Sequence, residues 1–142
     1  MTSKAVSHQF RKLLIVGDNK DTTDLIEEVA RVAGYDVAVV NDFRELKETY
    51  RNFLPDLIFL DLDLGLDSDM DMSEKGYDGL AVFNFLVEVE SRSMIVLISG
   101  MDSEKIRLTK NIGKEMNLNV VGSFSKPFSI ERIDQLLLKL KR

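Results

Sequence analysis

Short, uninterrupted runs of apolar residues alternate along the chain with longer segments in which apolar residues recur at helical spacing. Each run consists almost entirely of Val, Ile, Leu or Phe, as expected of strands that helices cover on both faces. The runs are Leu13 to Val16, Val37 to Val40, Leu57 to Leu60, Ile95 to Ile98, and Val120 to Val121 with its flanks. Parallel strands need long crossover connections, so this alternation predicts five βα units and a single parallel sheet.

Each connection between the runs carries a segment with helical spacing of its apolar residues. The three clearest segments have recognisable ends, because Gly34 stops the first, Pro55 follows the second and Ser129 caps the last. The third and fourth segments have sparser apolar stripes, and they are interpreted as helices mainly because crossovers between parallel strands require them. The predicted helices span residues 24–33, 42–54, 80–90, 102–116 and 129–140.

Length and charge limit the classes of protein to which the chain can belong. Its 142 residues suit one domain, placed at residues 12–142 after a lead-in at residues 1–11. A net charge of -5 predicts no direct binding to nucleic acid, because the protein repels phosphate backbones. The lead-in lacks the apolar stretch of a secretory signal, no apolar run approaches the ~20 residues of a membrane span, and cysteine is absent. A cytoplasmic location is therefore expected.

Polar side chains with reactive groups follow four of the predicted strands. Asp18 follows the first strand, Asp61 the third, Ser99 the fourth and Lys126 the fifth. In an open parallel sheet, ligands bind beyond the carboxyl ends of the strands, where the strand order reverses. If the order is 2-1-3-4-5, these four groups share one pocket.

Two carboxylates in one pocket repel each other unless a cation neutralises them. Oxygen ligands suit Mg²⁺, which proteins hold through one or two carboxylates, with water, carbonyl or phosphate oxygens in the other positions. A carboxylate so placed can also attack phosphorus and form an acyl phosphate. On this hypothesis Asp61 is the nucleophile and Asp18 holds the metal ion, while Ser99 and Lys126 contact the phosphoryl group.

Five motifs, in order along the chain, resemble those of a known family. They are IVGDN after the first strand, PDLIFLDLDL around the third, GYDGL at the start of the third helix, VLISG at the fourth strand and SKPF after the fifth. Together they cover residues 12–140, and the chain resembles the receiver domains of two-component response regulators. The resemblance implies a three-layer, flavodoxin-like (βα)5 fold with a parallel sheet of order 2-1-3-4-5.

The same resemblance implies how the domain works. It is a switch rather than an enzyme, and it accepts a phosphoryl group on Asp61 from the phosphohistidine of a histidine kinase or a histidine phosphotransfer protein. Asp63 is implied to supply a backbone carbonyl to the Mg²⁺ ion, and the Lys126–Pro127 peptide bond is implied to be cis. Output is expected through helix four, strand five and helix five, toward an effector protein or domain or through a phosphorylation-linked dimer.

Three features depart from the usual receiver pattern. Receivers usually carry two acids after the first strand, whereas the first of these positions is Gly17 here. An aromatic residue often stands three positions before the lysine, where this chain has Ser123, and Phe124 points to the opposite face of the strand by alternation. The loop after Asp61 carries an acidic insertion at residues 65–76, whereas βα loops usually have roughly 2–6 residues.

Two other functions stay open beside the phosphoacceptor switch. A degenerate receiver would act only as a protein-binding module, with Gly17 and Ser123 as signs of lost chemistry. A haloacid-dehalogenase-type phosphatase has a DxD motif that resembles DLDLG, but that family places the motif on its first strand and needs a further acidic pair late in the chain. The acidic insertion also matches several positions of a calcium loop, yet Met72 stands where such a loop needs Gly.

A finer resemblance concerns the output. Residues 96–128, with GMDSEK and LNVVGSFSKPF, resemble most the receivers that precede cyclic-di-GMP phosphodiesterase domains. No effector domain follows the fifth helix, so the chain is expected either to bind a separate partner or to be the receiver portion of a longer protein.

Overall fold

Five parallel strands form one sheet in the order β2-β1-β3-β4-β5. The computed structural model describes residues 12–62, 79–100 and 103–141 of the chain. The strands are β1 (Lys12–Val16), β2 (Asp36–Val40), β3 (Leu57–Asp61), β4 (Met94–Ser99) and β5 (Asn119–Ser125). The predicted parallel sheet and its strand order are therefore confirmed.

The helices within the described residues lie in two layers, one on each face of the sheet. They are α1 (Lys20–Val32), α2 (Phe43–Phe53), α3 (Gly79–Glu88), α4 (Ser103–Glu115) and α5 (Ile130–Leu140). Helices α1 and α5 bury Ile26 and Leu137 against one face of the sheet. Helices α2 and α3 bury Leu46 and Phe83 against the other face, where Gly113 of α4 lies close to Phe83. This arrangement confirms the predicted three-layer α/β fold.

Side-chain caps set the starts of three helices. The side chain of Asn19 accepts a hydrogen bond from the amide of Thr22 at 3.0 Å, and α1 therefore begins before residue 24, where the apolar spacing predicted its start. The difference arises because the first turn of α1 is polar and adds nothing to the apolar stripe. Asp42 and Ser129 cap α2 and α5 in the same way, as predicted.

Among the described residues, left-handed backbone follows four of the helices, at Gly34 after α1, Leu54 after α2, Glu90 after α3 and Asn117 after α4. Gly34 has a φ of 95° after α1, and Leu54 has a φ of 52° between α2 and Pro55. Helices α1 and α2 both end at the predicted stop signals. Helices α3 and α4, whose apolar stripes are sparse, also form where the need for crossovers predicted them.

The outer strands of the sheet are less buried than predicted. In β1, β3 and β4 almost every residue is buried, as expected of strands with helices on both faces. In β2 only Val40 is buried, and in β5 only Val120, because an edge strand has a neighbour on one side alone. Strand β5 also runs longer than predicted, with a register shift opposite Ile95 and Val96.

Two predicted features, the lead-in at residues 1–11 and the acidic insertion at residues 65–76, lie outside the described residues. Within the described ranges, none of the helices is long and apolar enough to cross a membrane.

Candidate functional site

Three of the predicted site residues lie at the carboxyl end of the sheet because the strands that carry them run parallel. Strands β1 and β3 are neighbours, and the strand order reverses between them. Asp61, the last residue of β3, pairs in register with Ile98, and Ser99 pairs with Ser125 directly before Lys126. The carboxyl ends of three adjacent strands therefore bring Asp61, Ser99 and Lys126 together at the topological switch point.

The centre of the site is an ion pair between a buried carboxylate and a lysine. The Nζ atom of Lys126 lies 3.0 Å from Oδ2 and 3.2 Å from Oδ1 of Asp61. The side chain of Asp61 is 3% exposed and that of Lys126 is 20% exposed, so solvent screens the pair only in part. The ammonium thus offsets the charge of a carboxylate that has almost no contact with water.

Backbone contacts fix Lys126 relative to the end of β4. The amide of Lys126 donates a hydrogen bond to the carbonyl oxygen of Ser99 at 2.8 Å. The peptide bond between Lys126 and Pro127 is cis, which confirms the prediction. Ser99 itself is fully buried at the end of β4. The backbone of Lys126 is therefore held next to Ser99 at the end of β4.

Asp18 is the predicted site residue that follows β1. It is exposed in the turn between β1 and α1, next to the capping residue Asn19. Among the described residues there is no group of three or more His, Cys, Asp or Glu side chains that could hold a metal ion. Asp63 lies outside the described residues, so its predicted backbone ligand stays a prediction.

The donor set at this edge nevertheless fits a magnesium ion. Mg²⁺ needs only one or two carboxylates and fills its other positions with water, carbonyl or phosphate oxygens. Asp61 supplies a buried carboxylate at the end of β3, and Asp18 supplies an exposed one in the turn after β1.

The position of Phe124 follows the predicted alternation along β5. Ser123 pairs in register with Leu97, which belongs to the core under α2 and α3, whereas Phe124 pairs with Ile98 on the opposite face. The ring centroid of Phe124 lies 6.5 Å from that of Phe59, in the core under α1 and α5. The aromatic ring is therefore packed away from the α4 side of β5.

One polar residue beside the site escaped the sequence analysis. Thr23, in the first turn of α1, is only 5% exposed, and its hydroxyl donates to the carbonyl oxygen of Lys20 at 3.2 Å. Its methyl group lies next to Gly17. The signal that would have found it is the cap at Asn19, because that cap places Thr23 on the inner side of the first helical turn.

Comparisons with known proteins give the same fold and the same family. The family model of the response regulator receiver domain matches residues 13–138. A response regulator signal receiver domain from Bermanella marisrubri has a similar structure, with a TM-score of 0.73 at 20% identity over 94% of this chain and 100% of that one.

Two further solved structures extend the likeness. A response regulator from Colwellia psychrerythraea is 26% identical, with a TM-score of 0.69 over 93% of this chain and 97% of that one. Full-length FixJ from B. japonicum is 14% identical, with a TM-score of 0.70, and the match spans 93% of this chain but 58% of FixJ. The family match covers nearly the whole of the described fold, and the chain belongs to the response regulator receiver domain family.

Proposed function

We propose that this chain is a phosphorylation-controlled switch that accepts a phosphoryl group on Asp61. The donor is the phosphohistidine of a histidine kinase or of a histidine phosphotransfer protein. The observation that carries the proposal is the buried Asp61 carboxylate at the end of the central strand, with Lys126 Nζ 3.0 and 3.2 Å from its two oxygens. The family consists of signalling switches rather than catalytic enzymes.

The chemistry assigned to Asp61 is nucleophilic attack on phosphorus. A carboxylate oxygen forms the new P–O bond while the P–N bond of the phosphohistidine breaks, and the electron pair of that bond leaves on the imidazole nitrogen. Burial favours this reaction, because few water molecules surround the carboxylate and each nearby charge acts more strongly. The product is an acyl phosphate on Asp61.

Lys126 and Ser99 are proposed to contact the transferred group. The ammonium of Lys126 already lies against Asp61, so it can pair with an oxygen of a phosphoryl group bonded there. Ser99 is the adjacent hydroxyl at the end of β4, and it is a suitable donor to a second oxygen. The contacts to the phosphoryl group exist only in the phosphorylated state, and they therefore favour the conformation in which Ser99 and Lys126 both reach that group.

Asp18, Asp61 and the backbone carbonyl of Asp63 are the residues that would hold Mg²⁺. When bound, the ion offsets the negative charge of the incoming phosphoryl group and of the carboxylates around it. The exposed position of Asp18 leaves that carboxylate open to an ion from solvent. Dependence of the phosphorylation on Mg²⁺ is accordingly part of the proposal.

Output is proposed to pass through the surface of α4, β5 and α5. Leu108 and Ile112 of α4 are one helical turn apart and are 50% and 38% exposed, and Val121 of β5 is 39% exposed. The amide of Lys126 is bonded to β4, so a movement at the phosphorylation site can alter the end of β5. The partner that binds this surface is an effector protein or domain, or a second copy of the chain.

Two expectations from the sequence stay predictions. One is that this domain precedes a cyclic-di-GMP phosphodiesterase domain in a longer protein, and the other is that the protein is cytoplasmic.

The proposal is tested by incubation with phosphoramidate and Mg²⁺, followed by measurement of intact mass. The parent chain should gain the mass of one phosphoryl group, and Asp61→Asn should gain none. Asp134→Asn, which changes a carboxylate on α5, is the matched control and should behave as the parent does. Absence of any gain in the parent would favour a protein-binding module that lacks phosphotransfer, and turnover of a small phosphate ester would favour a phosphatase.

A further inference from the structure

Gly17 directly follows β1 and lies beside Asp61. Its amide donates a hydrogen bond to the carbonyl oxygen of Val40 at 3.0 Å, which ties this residue to the end of β2. A Cβ atom at position 17 would lie 3.0 Å from Cβ of Asp61 and 3.6 Å from Oδ2 of the same residue. On its other side it would lie 3.4 Å from the methyl carbon of Thr23. A methyl group would therefore fit at this position only if a neighbouring atom moved by a few tenths of an ångström.

Asp61 is held in place on several sides and cannot easily move away from this contact. The Cβ atom of Asp61 is attached directly to the backbone of β3, which is paired with β1 on one side and β4 on the other. Its carboxylate is held by Lys126 at 3.0 and 3.2 Å. To admit a Cβ at position 17, Asp61 would have to shift by a few tenths of an ångström. That shift would act on the reacting carboxylate.

We propose that Gly17 is a positioning residue for Asp61. The lack of a side chain at position 17 lets the Asp61 carboxylate lie against Lys126 in its reactive position. In this chain the glycine is thus more than the loss of an acid that many receivers carry, because a Cβ atom added to this backbone would press on the phosphoacceptor. This inference rests on the proposed function of Asp61 for its effect on phosphorylation, but its geometric content stands separately.

A second glycine near the site supplies a matched control. Gly122 lies in β5, four residues before Lys126, and a Cβ atom there would meet no atom within 4 Å. Gly122→Ala therefore makes the same chemical change as Gly17→Ala on a strand of the same sheet, without the contact to Asp61. The two variants separate the effect of the contact from the general effect of replacing glycine by alanine.

The kinetic test measures the rate of phosphorylation by acetyl phosphate at saturating Mg²⁺. Gly17→Ala should lower the maximal rate about tenfold and leave the half-saturating concentration of acetyl phosphate unchanged, because misplacement of the nucleophile affects the chemical step. Gly122→Ala should react at the parent rate. The double variant Gly17→Ala/Thr23→Ser should recover part of the loss, because it removes the methyl group on the other side of the new Cβ.

A structural test decides the geometry without reference to phosphorylation. A crystal structure of Gly17→Ala should show the Asp61 carboxylate displaced, with longer distances to Lys126 Nζ than in the parent. If Gly17→Ala does not fold, the same contact predicts that Gly17→Ala/Asp61→Gly does, because glycine at position 61 removes the atom in contact.

Three results would overturn the inference. They are a parent-like rate in Gly17→Ala, an equal loss of rate in Gly122→Ala, and an unmoved Asp61 in the crystal structure. If the parent takes up no phosphoryl group, the proposed function fails on its own, and the displacement of Asp61 still decides whether Gly17 positions it.

Discussion

Removal of the Lys126 ammonium tests how strongly the site itself contributes to stability. The change Lys126→Met keeps most of the length and apolar surface of the side chain and deletes its charge. In the parent, the ammonium lies 3.0 and 3.2 Å from the two oxygens of Asp61, whose side chain is 3% exposed. The substitution therefore takes a cation away from a carboxylate that has little access to water.

The expected loss follows from the burial of the pair. Breaking a fully buried ion pair costs about 3–5 kcal/mol, because the remaining charge stays in a medium of low polarity. The Lys126 side chain is 20% exposed, so water supplies part of the missing stabilisation and the expected loss is lower. We expect Lys126→Met to lower the free energy of unfolding by about 2–3 kcal/mol at neutral pH.

Urea unfolding of four proteins in the presence of a chelator measures this loss. The proteins are the parent, Lys126→Met, Asp61→Asn and the double variant. In the Asp61→Asn background the lysine change should cost about 1–2 kcal/mol less than in the parent, because no carboxylate is left to neutralise. Added Mg²⁺ should reduce the loss in Lys126→Met, since a bound cation offsets the same charge.

Equal costs of the lysine change in both backgrounds would refute this reasoning. That outcome would mean that the ammonium and the carboxylate make no net favourable interaction in the folded protein. A loss below about 0.5 kcal/mol in the parent would lead to the same conclusion, because it is the size typical of exposed ion pairs.

Two further predictions concern stability away from the site. Burial, followed by the charge of Asp56, raises the pKa of Tyr35 to about 12. The folded state therefore keeps the phenol proton after the unfolded chain has lost it, and the free energy of unfolding should fall by about 2–3 kcal/mol between pH 10 and pH 12. Tyr35→Phe should lack most of this fall in urea titrations, and an equal fall in both proteins would contradict it. Gly113→Ala should lose about 1–3 kcal/mol, because its Cβ would lie 2.8 Å from Val120, whereas Gly122→Ala should lose less than about 1 kcal/mol. Equal losses in the two variants by thermal unfolding would exclude this cause.

Most of the fold could be predicted because its signals are local. Buried central strands such as β3 require unbroken apolar residues, and the helix caps at Asp42 and Ser129 use side chains that lie next to the backbone they bond. The parallel order then follows from the long crossovers. The residue pattern was misleading in two places. It predicted buried outer strands, whereas β2 and β5 are only partly buried. It also missed the polar first turn of α1, whose start depends on the cap at Asn19.

The candidate site could be predicted only as a set of residues at strand ends. The sequence indicated that Asp61, Ser99 and Lys126 would meet, and the parallel register brings them together. It gave no sign that Asp18 would be exposed or that Gly17 would approach Asp61 so closely. Both depend on how the backbone turns after β1, which is a property of the packed structure rather than of the residue pattern.

The most direct test of the central claim is to locate the phosphoryl group on the chain. After incubation with acetyl phosphate and Mg²⁺, borohydride reduction converts an aspartyl phosphate to homoserine, and peptide mapping finds the modified position. We predict homoserine at position 61 alone, its loss in Asp61→Asn, and its loss when a chelator removes Mg²⁺. Modification at another carboxylate, or none at position 61 of the folded parent, would contradict the account.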